Sequence, residues 1–456
     1  MTSNEDGNPN EIMREILVLE RDMSKCINIF VSKVLKGIND VDYLNHKEKV
    51  YLSNKLIESV SCMENAATMV IEVVAKLNKK SQSIVYVTNS SDDTVSVIQT
   101  SDHRVVDIIR VGDQPIGVVI TPDGRFAYVK NLGGDTISVI RVSDNTVVDT
   151  ITVGDFPQGI AITPNGEYIY VANRDSANVS VIQSSDNKVV GTITAGDIPV
   201  GVAITPNGKV VYVTNGGDNT VSVIQISDNS VVDTIAVGNV PNGIVITPNG
   251  EIVYVTNIID DNISVIQTSD NTVVDTITVG NSPHNVAIAP DGKYVYVTNL
   301  GGNTVSVIQT SDNTVADNIT VGHFPFGIAI TPNGEFAYVA NIRDDTVSVI
   351  QLSDNTVVDT IATGNSPHGV AITPTTKPET INKTIENILK KERDNLKSLS
   401  ENVCETLREL YDDDSICFKS LVELSSTLIE EAAKKERTAS KAIEDSANLE
   451  CEESVE

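Results

Sequence analysis

With 456 residues, 40% of them hydrophobic, the chain has room for two to four domains and enough apolar side chains for a sizeable core, which excludes a wholly disordered polymer. Its 62 acidic and 33 basic residues give a net charge of −29, which repels phosphate backbones and excludes nucleic acid as an expected partner. No apolar run approaches the roughly 20 residues that span a bilayer, so no membrane insertion is expected.

The N-terminus, MTSNEDGNPNEIMRE, lacks the basic-then-apolar order of a secretory signal, and a cytoplasmic location is expected. The five cysteines, Cys26, Cys62, Cys404, Cys417 and Cys451, are odd in number and without metal-ligand spacing, which predicts free thiols in a reducing compartment. Residues 1–82 form an N-terminal helical segment. Apolar residues spaced by three or four (Ile12, Ile16, Leu19, Met23, Ile27, Phe30, Val34, Ile38) mark one helix over 11–38, and a second stripe from Leu52 to Leu77 marks another over 47–78.

A repeat fills 83–376. Tyr86, Tyr128, Tyr170, Tyr212, Tyr254, Tyr296 and Tyr338 recur every 42 residues, within YVTN, YVKN, YVAN, YVTN, YVTN, YVTN and YVAN. Each copy holds four short runs rich in Val, Ile, Thr and Tyr, for example GIAITP (159–164), YIYVAN (168–173), VSVIQS (179–184) and KVVGTITAG (188–196). The runs read as strands a, b, c and d. Pro-Asn-Gly or Pro-Asp-Gly joins a to b, and Ser-Asp-Asn joins c to d, as tight hairpins require. Four antiparallel strands per 42 residues is the spacing of a propeller blade, so the expected fold is a mainly β, seven-bladed propeller.

The repeat region resembles the YVTN β-propeller family, found in archaeal surface-layer and bacterial secreted proteins. That resemblance implies a seven-bladed ring with strand a innermost, often displayed at a cell surface for binding or adhesion. The region begins with strand b at Ile84–Asn89 and ends with strand a at Val370–Pro374, so one blade is expected to be composite. N-terminal strands b, c and d would pair with a C-terminal strand a and close the ring without a disulfide.

Residues 377–456 form a C-terminal helical segment with an acidic tail. One stripe runs from Ile381 to Leu410, and a weaker one runs through Ile416, Leu421, Leu424, Leu428 and Ile443 after a cap at Asp412–Ser415. Each stripe is one-sided and needs a partner. A four-helix bundle of the two flanks is the expected solution, with pairing to a second copy as the alternative and homo-oligomerisation its consequence.

Candidate site residues come from comparing the copies with one another. The d–a loop carries Pro-x-Gly, whose middle residue is expected to ring the channel mouth: Ile116, Gln158, Val200, Asn242, His284, Phe326 and His368. Strands repeat almost verbatim while this position differs in nearly every blade, as a ring contacting one ligand needs non-equivalent groups. His323, Phe156 and Phe324 fall in the same loops. Three imidazoles suit metal or acid–base chemistry, but no carboxylates match them, so no catalytic residue, metal or cofactor is assigned. The acidic b–c loops, such as Asp92-Asp93 and Asp344-Asp345, read as turn-forming rims, since no calcium loop spacing is present.

Nearly uniform blades favour a non-enzymatic binding or scaffold module whose open face recognises a protein partner. Two rivals stand beside it: an enzyme resembling the lyases or lactonases built on related propellers, acting at the channel mouth, and a cell-surface structural or adhesion protein, as the resemblance implies.

Overall fold

The structure is a computed structural model that describes residues 9–40, 83–374 and 422–435, with residues 51, 54, 55, 397, 401, 403, 405 and 420. It divides into two compact units, Gln82–Thr376 on the one hand and Met1–Ser81 with Lys377–Glu456 on the other.

Twenty-eight strands, β1 (Ile84–Asn89) to β28 (Pro367–Ile372), form seven four-stranded sheets. The chain is a seven-bladed propeller of four-stranded blades. Six blades are built from consecutive strands. The seventh has the order β28–β1–β2–β3, with β2 at Thr94–Gln99 and β3 at Arg104–Arg110. Its closing pair is antiparallel, with Val85 opposite Ile372, Tyr86 opposite Ala371 and Val87 opposite Val370. Thr373 fastens the end of that pair: its amide donates to Ile84 O, and the Ile84 amide donates to Thr373 Oγ1, both at 2.8 Å.

Burial explains why the strand patterns differ. Strands b and c lie between neighbouring blades and are buried on both faces, so Thr88, Asn89 and Ser96 are as enclosed as Val85 and Val97. The outer strands are open to solvent except for one isoleucine each, such as Ile109, Ile151 and Ile193. In every blade the c–d pairing shifts register once, for example between Val97 and Ile98. Such bulges bend an exposed edge away from intermolecular pairing.

Blades are joined by a hydrogen bond that spans 59 residues. The buried Tyr128 hydroxyl donates to Asn187 Oδ1 in the c–d turn of the next blade at 2.9 Å, and Asn187 Nδ2 donates to Asp149 at 3.0 Å. Tyr86, Tyr170, Tyr212, Tyr254 and Tyr296 reach Asn145, Asn229, Asn271, Asn313 and Asn355 in the same way. At the closing blade the partner is a histidine: Tyr338 Oη lies 2.8 Å from His103 Nδ1. All seven partners sit at positive φ, between 55° and 58°. Asparagine meets both demands, because it tolerates the left-handed region and carries an acceptor on a short stem. Burial pushes the Tyr128 and Tyr254 hydroxyls up to about 12, which keeps them as donors.

In the flanking unit, the helix α1 (Pro9–Asp40) buries Met23, Ile27, Phe30, Val31 and Val34, along the stripe that the sequence marks. Residues 422–435 are helical as well. Their buried face is Val422, Ser425, Ser426, Ile429, Ala432 and Ala433, while Leu424 is 50% exposed. Of the expected stripe, Leu424 thus faces out and Leu428 is half-buried, because small side chains supply the packed face, and Leu421 lies outside the described residues. Cys26 is disulfide-bonded, which corrects the expectation of five free thiols. The stripes over 47–78 and 381–410, and hence the four-helix bundle, lie mostly outside the described residues. Among the described residues no helix is long and apolar enough to cross a membrane.

The inter-blade bond gives a direct stability test. Tyr128→Phe is expected to cost about 1 kcal/mol. Asn187→Gly keeps the positive φ and loses the acceptor, so it should cost a similar amount, whereas Asn187→Ala adds backbone strain and should cost roughly 2 kcal/mol. Urea denaturation checks the series, and an Asn187→Gly chain as stable as the parent would show that the bond contributes nothing.

Candidate functional site

Each d–a loop turns into strand a through a residue at positive φ that precedes proline: Gln114, Phe156, Ile198, Val240, Ser282, Phe324 and Ser366, at 51° to 58°. This conformation is costly for β-branched Ile198 and Val240. A b–c loop side chain holds it in most blades. Asp93 Oδ1 accepts from the Gln114 amide at 3.0 Å, Asp135 from Phe156 at 2.8 Å and Asp261 from Ser282 at 2.7 Å. Asn219, Asn303 and Asp345 do the same for Val240, Phe324 and Ser366. The acidic rim therefore spends its carboxylates on loop geometry. Among the described residues no group of three or more His, Cys, Asp or Glu is placed to hold a metal ion.

These rigid loops deliver the Pro-x-Gly residues to a cavity of about 160 Å³ lined by the innermost strands of the ring. Ile116, Gln158, Val200, Asn242 and Phe326 line it. His284 and His368 are not lining residues but pack on Phe326, with ring centroids 4.2 and 4.9 Å from it. His323, Phe156 and Phe324 stay out on the loops. His323 Nδ1 is 2.8 Å from Asp344 Oδ1 with its side chain 66% exposed. Phe156 lies under Arg174 at 5.1 Å and Phe324 under Arg343 at 4.6 Å. The structure thus brings two of the three imidazoles together and leaves the third apart.

The innermost strands approach so closely that six blades have glycine beside the ring position, and Asn285 takes that place in the seventh. A Cβ at Gly159 would overlap Val200 O of the next blade. Strand b reinforces the contact where it carries threonine. Thr214 Oγ1 accepts from the Gly201 amide at 2.7 Å and donates to Asn242 O of the next blade at 2.8 Å. Thr256 and Thr298 repeat this with His284 O and Phe326 O.

One blade departs. Where the others have Thr88, Ala172, Thr214, Thr256, Thr298 and Ala340, β5 (Phe126–Asn131) has Lys130. Lys130 is 9% exposed and lines the cavity. Its stem runs past Gly117, where a Cβ would overlap Lys130 Cε. Among the described residues no carboxylate lines the cavity. Desolvation lowers the Lys130 pKa from the ordinary lysine value to about 7, which favours the uncharged amine. His284 is held down to about 4, by desolvation first and then by His368 and Lys130, and its Nδ1 is buried without a hydrogen-bond partner. His368 is lowered mainly by desolvation, and its Nδ1–H donates to Ser366 O at 2.8 Å, which leaves Nε2 as an acceptor. The cavity thus combines the desolvated Lys130 amine with the side-chain amides of Gln158, Asn242 and Asn285, while the two imidazoles pack on its Phe326.

Comparing only the loops missed Lys130. Its signal is in the sequence: YVKN is the one copy with a charged residue at a position that is otherwise Thr or Ala.

No curated protein matches the chain. Among solved structures, a functionally unknown protein from Desulfotomaculum acetoxidans aligns with a TM-score of 0.58 and 21% identity over 64% of this chain and 99% of its own. A Bacteroides fragilis protein provisionally described as a 6-phosphogluconolactonase aligns at 0.57 and 18%, over 64% of this chain and 98% of its own. Kuenenia stuttgartiensis hydrazine synthase aligns at 0.52 and 22%, over 56% of this chain and 88% of its own. At these identities the likeness is one of fold. The sequence profile of the lactonase family of seven-bladed β-propellers, in contrast, matches residues 78–195, 186–274 and 269–370. That match overturns the expectation of a non-enzymatic binding or scaffold module and points to an enzyme-type propeller. Uniform strands misled because the residues that break the repeat are few and face inward. The chain belongs to the lactonase family of seven-bladed β-propellers.

Proposed function

We propose that the protein hydrolyses small cyclic esters in the channel cavity, with Lys130 as the general base. The observation that carries this reading is the buried Lys130 amine on the wall of the cavity, where desolvation favours its uncharged form. A volume of about 160 Å³ suits a ligand on the scale of a single six-membered ring. In this mechanism Lys130 Nζ takes a proton from water as the water oxygen attacks the ester carbonyl. The side-chain amides of Gln158, Asn242 and Asn285 donate to the carbonyl oxygen as it gains charge. The ring C–O bond then breaks, and the leaving alkoxide recovers the proton from the Lys130 ammonium to give a hydroxy acid. Phe326, with His284 and His368 packed on it, forms an apolar wall that keeps the amine desolvated.

The YVTN-type assignment of the blades is the finer family reading we favour, supported by Tyr-Val-x-Asn in all seven copies.

Lys130→Thr restores the residue of the commonest repeat and should fold. With a panel of five- and six-membered lactones, kcat/KM is expected to fall at least about 100-fold in this variant. The parent enzyme accepts a proton only with its amine uncharged, so its activity should rise with pH through about 7. Lactonase activity that is unchanged in the variant would remove Lys130 from the reaction.

The same variant should be more stable than the parent. Between pH 7 and the ordinary lysine value of 10.5, the unfolded chain binds a proton at Lys130 that the folded chain does not, so the parent's stability rises with pH across that window. Lys130→Thr should therefore gain roughly 4 kcal/mol at pH 7 and about half that at pH 9. Urea denaturation at the two pH values measures it, and equal gains at both would refute the linkage.

A further inference from the structure

We propose that Lys130 also captures carbonyl compounds covalently, its Nζ condensing with a small hydroxylated aldehyde held in the channel cavity to give an imine. This goes beyond ester hydrolysis, because it needs no activated water and leaves the ligand attached to the chain.

Three observations carry it. The first is access: Lys130 lines the cavity, and its stem lies against Gly117, which has no side chain to crowd it. The second is freedom. The other lysines of the propeller include Lys188 and Lys293, whose ammonium groups lie 3.0 Å from Asp186 and Asp291. Lys130 has no carboxylate beside it among the described residues, so nothing fixes it as an ion-paired ammonium. The third is the setting. Gln158, Asn242 and Asn285 line the same space and suit ligand hydroxyls, and Phe326 adds an apolar ring to the lining. Desolvated lysines of this kind are activated nucleophiles toward carbonyl carbon.

The step balances without an oxidant or reductant. The Nζ lone pair attacks the aldehyde carbon, a C–N bond forms, and an amine proton passes to the carbonyl oxygen to give a carbinolamine. Loss of that hydroxyl with the second amine proton, as water, leaves the C=N bond. Hydrolysis of the imine reverses the sequence.

The test uses the full chain with glyceraldehyde and sodium cyanoborohydride at pH 7, where hydride delivered to the C=N bond fixes the adduct as a secondary amine. Peptide mass spectrometry then gives the labelling rate of every lysine. Lys130 should be labelled roughly tenfold or more faster than Lys188, Lys209 and Lys293, because surface lysines are almost fully protonated at that pH. The fast-labelled fraction should vanish in Lys130→Thr. Labelling of Lys130 at or below the surface rate, or a fast fraction that survives in the variant, overturns the proposal. Trapping requires no turnover, so this result separates from the hydrolase reading. A chain that traps the aldehyde but opens no lactone keeps the imine and loses the hydrolase. A chain that opens lactones with Lys130 unlabelled does the reverse.

Discussion

Everything in the propeller hangs on the bond from a buried tyrosine hydroxyl to the turn of the next blade. A blade on its own exposes two apolar faces and gains little by folding, so stability has to come from contact between blades. Packing of Val and Ile alone would let adjacent sheets slide. A directional bond such as Tyr128 to Asn187, repeated at a separation of 59 residues in six junctions and replaced by Tyr338 with His103 at the seventh, ties each blade to the next. The asparagine that accepts it is also the residue that makes its own hairpin turn possible, at a φ of 56°. Turn geometry and blade geometry are therefore one constraint. A second set of contacts, from Thr214, Thr256 and Thr298 to the next blade's carbonyls, acts close to the axis.

This division of labour explains how the cavity can carry a residue that costs stability. In the blade of Lys130 the axial threonine is gone, and a desolvated amine takes its place. The outer bond from Tyr128 remains intact, and so does the internal pair of Asn131 with Ser138 at 2.9 Å. The ring is held from its middle outward, and its innermost layer is free to vary. Charge follows the same partition. The propeller carries 30 acidic and 10 basic residues, yet its carboxylates fix loops and turns at the rim while the cavity holds basic and amide groups.

The fold was legible because its determinants are periodic. Tyrosines 42 residues apart, Pro-x-Gly turns and Ser-Asp-Asn turns each report a local requirement, and strand b at one end with strand a at the other reports the composite blade. The site was only half legible. The variable loop residues Ile116, Gln158, Val200, Asn242 and Phe326 do line the cavity, whereas His284 and His368 at the same position pack on Phe326 instead. His323 has the same sequence appeal as His284, but it lies three residues before the ring position, where its ring turns outward to Asp344. Lys130 was hidden by its context, since a charged residue inside a strand of alternating Val and Tyr reads as drift until the depth of that strand is known. Leu424 shows the limit in helices, where buried Ser425 and Ser426 carry the face that hydropathy assigns to leucine.

The closing strand has a further consequence. β28 pairs with β1 through Val370, Ala371 and Ile372, the same kinds of side chain that the other six inner strands present to their own partners. Nothing in that pairing chemistry distinguishes a chain's own last strand from another molecule's. What selects the correct partner is tethering: residue 372 is covalently linked to residue 85, so its effective concentration there far exceeds that of a neighbour in dilute solution. Crowded, newly made chains lose that advantage, and an exchanged strand would be held by the same hydrogen bonds as a native one. The ring therefore keeps its identity through chain connectivity rather than through complementarity at the seam.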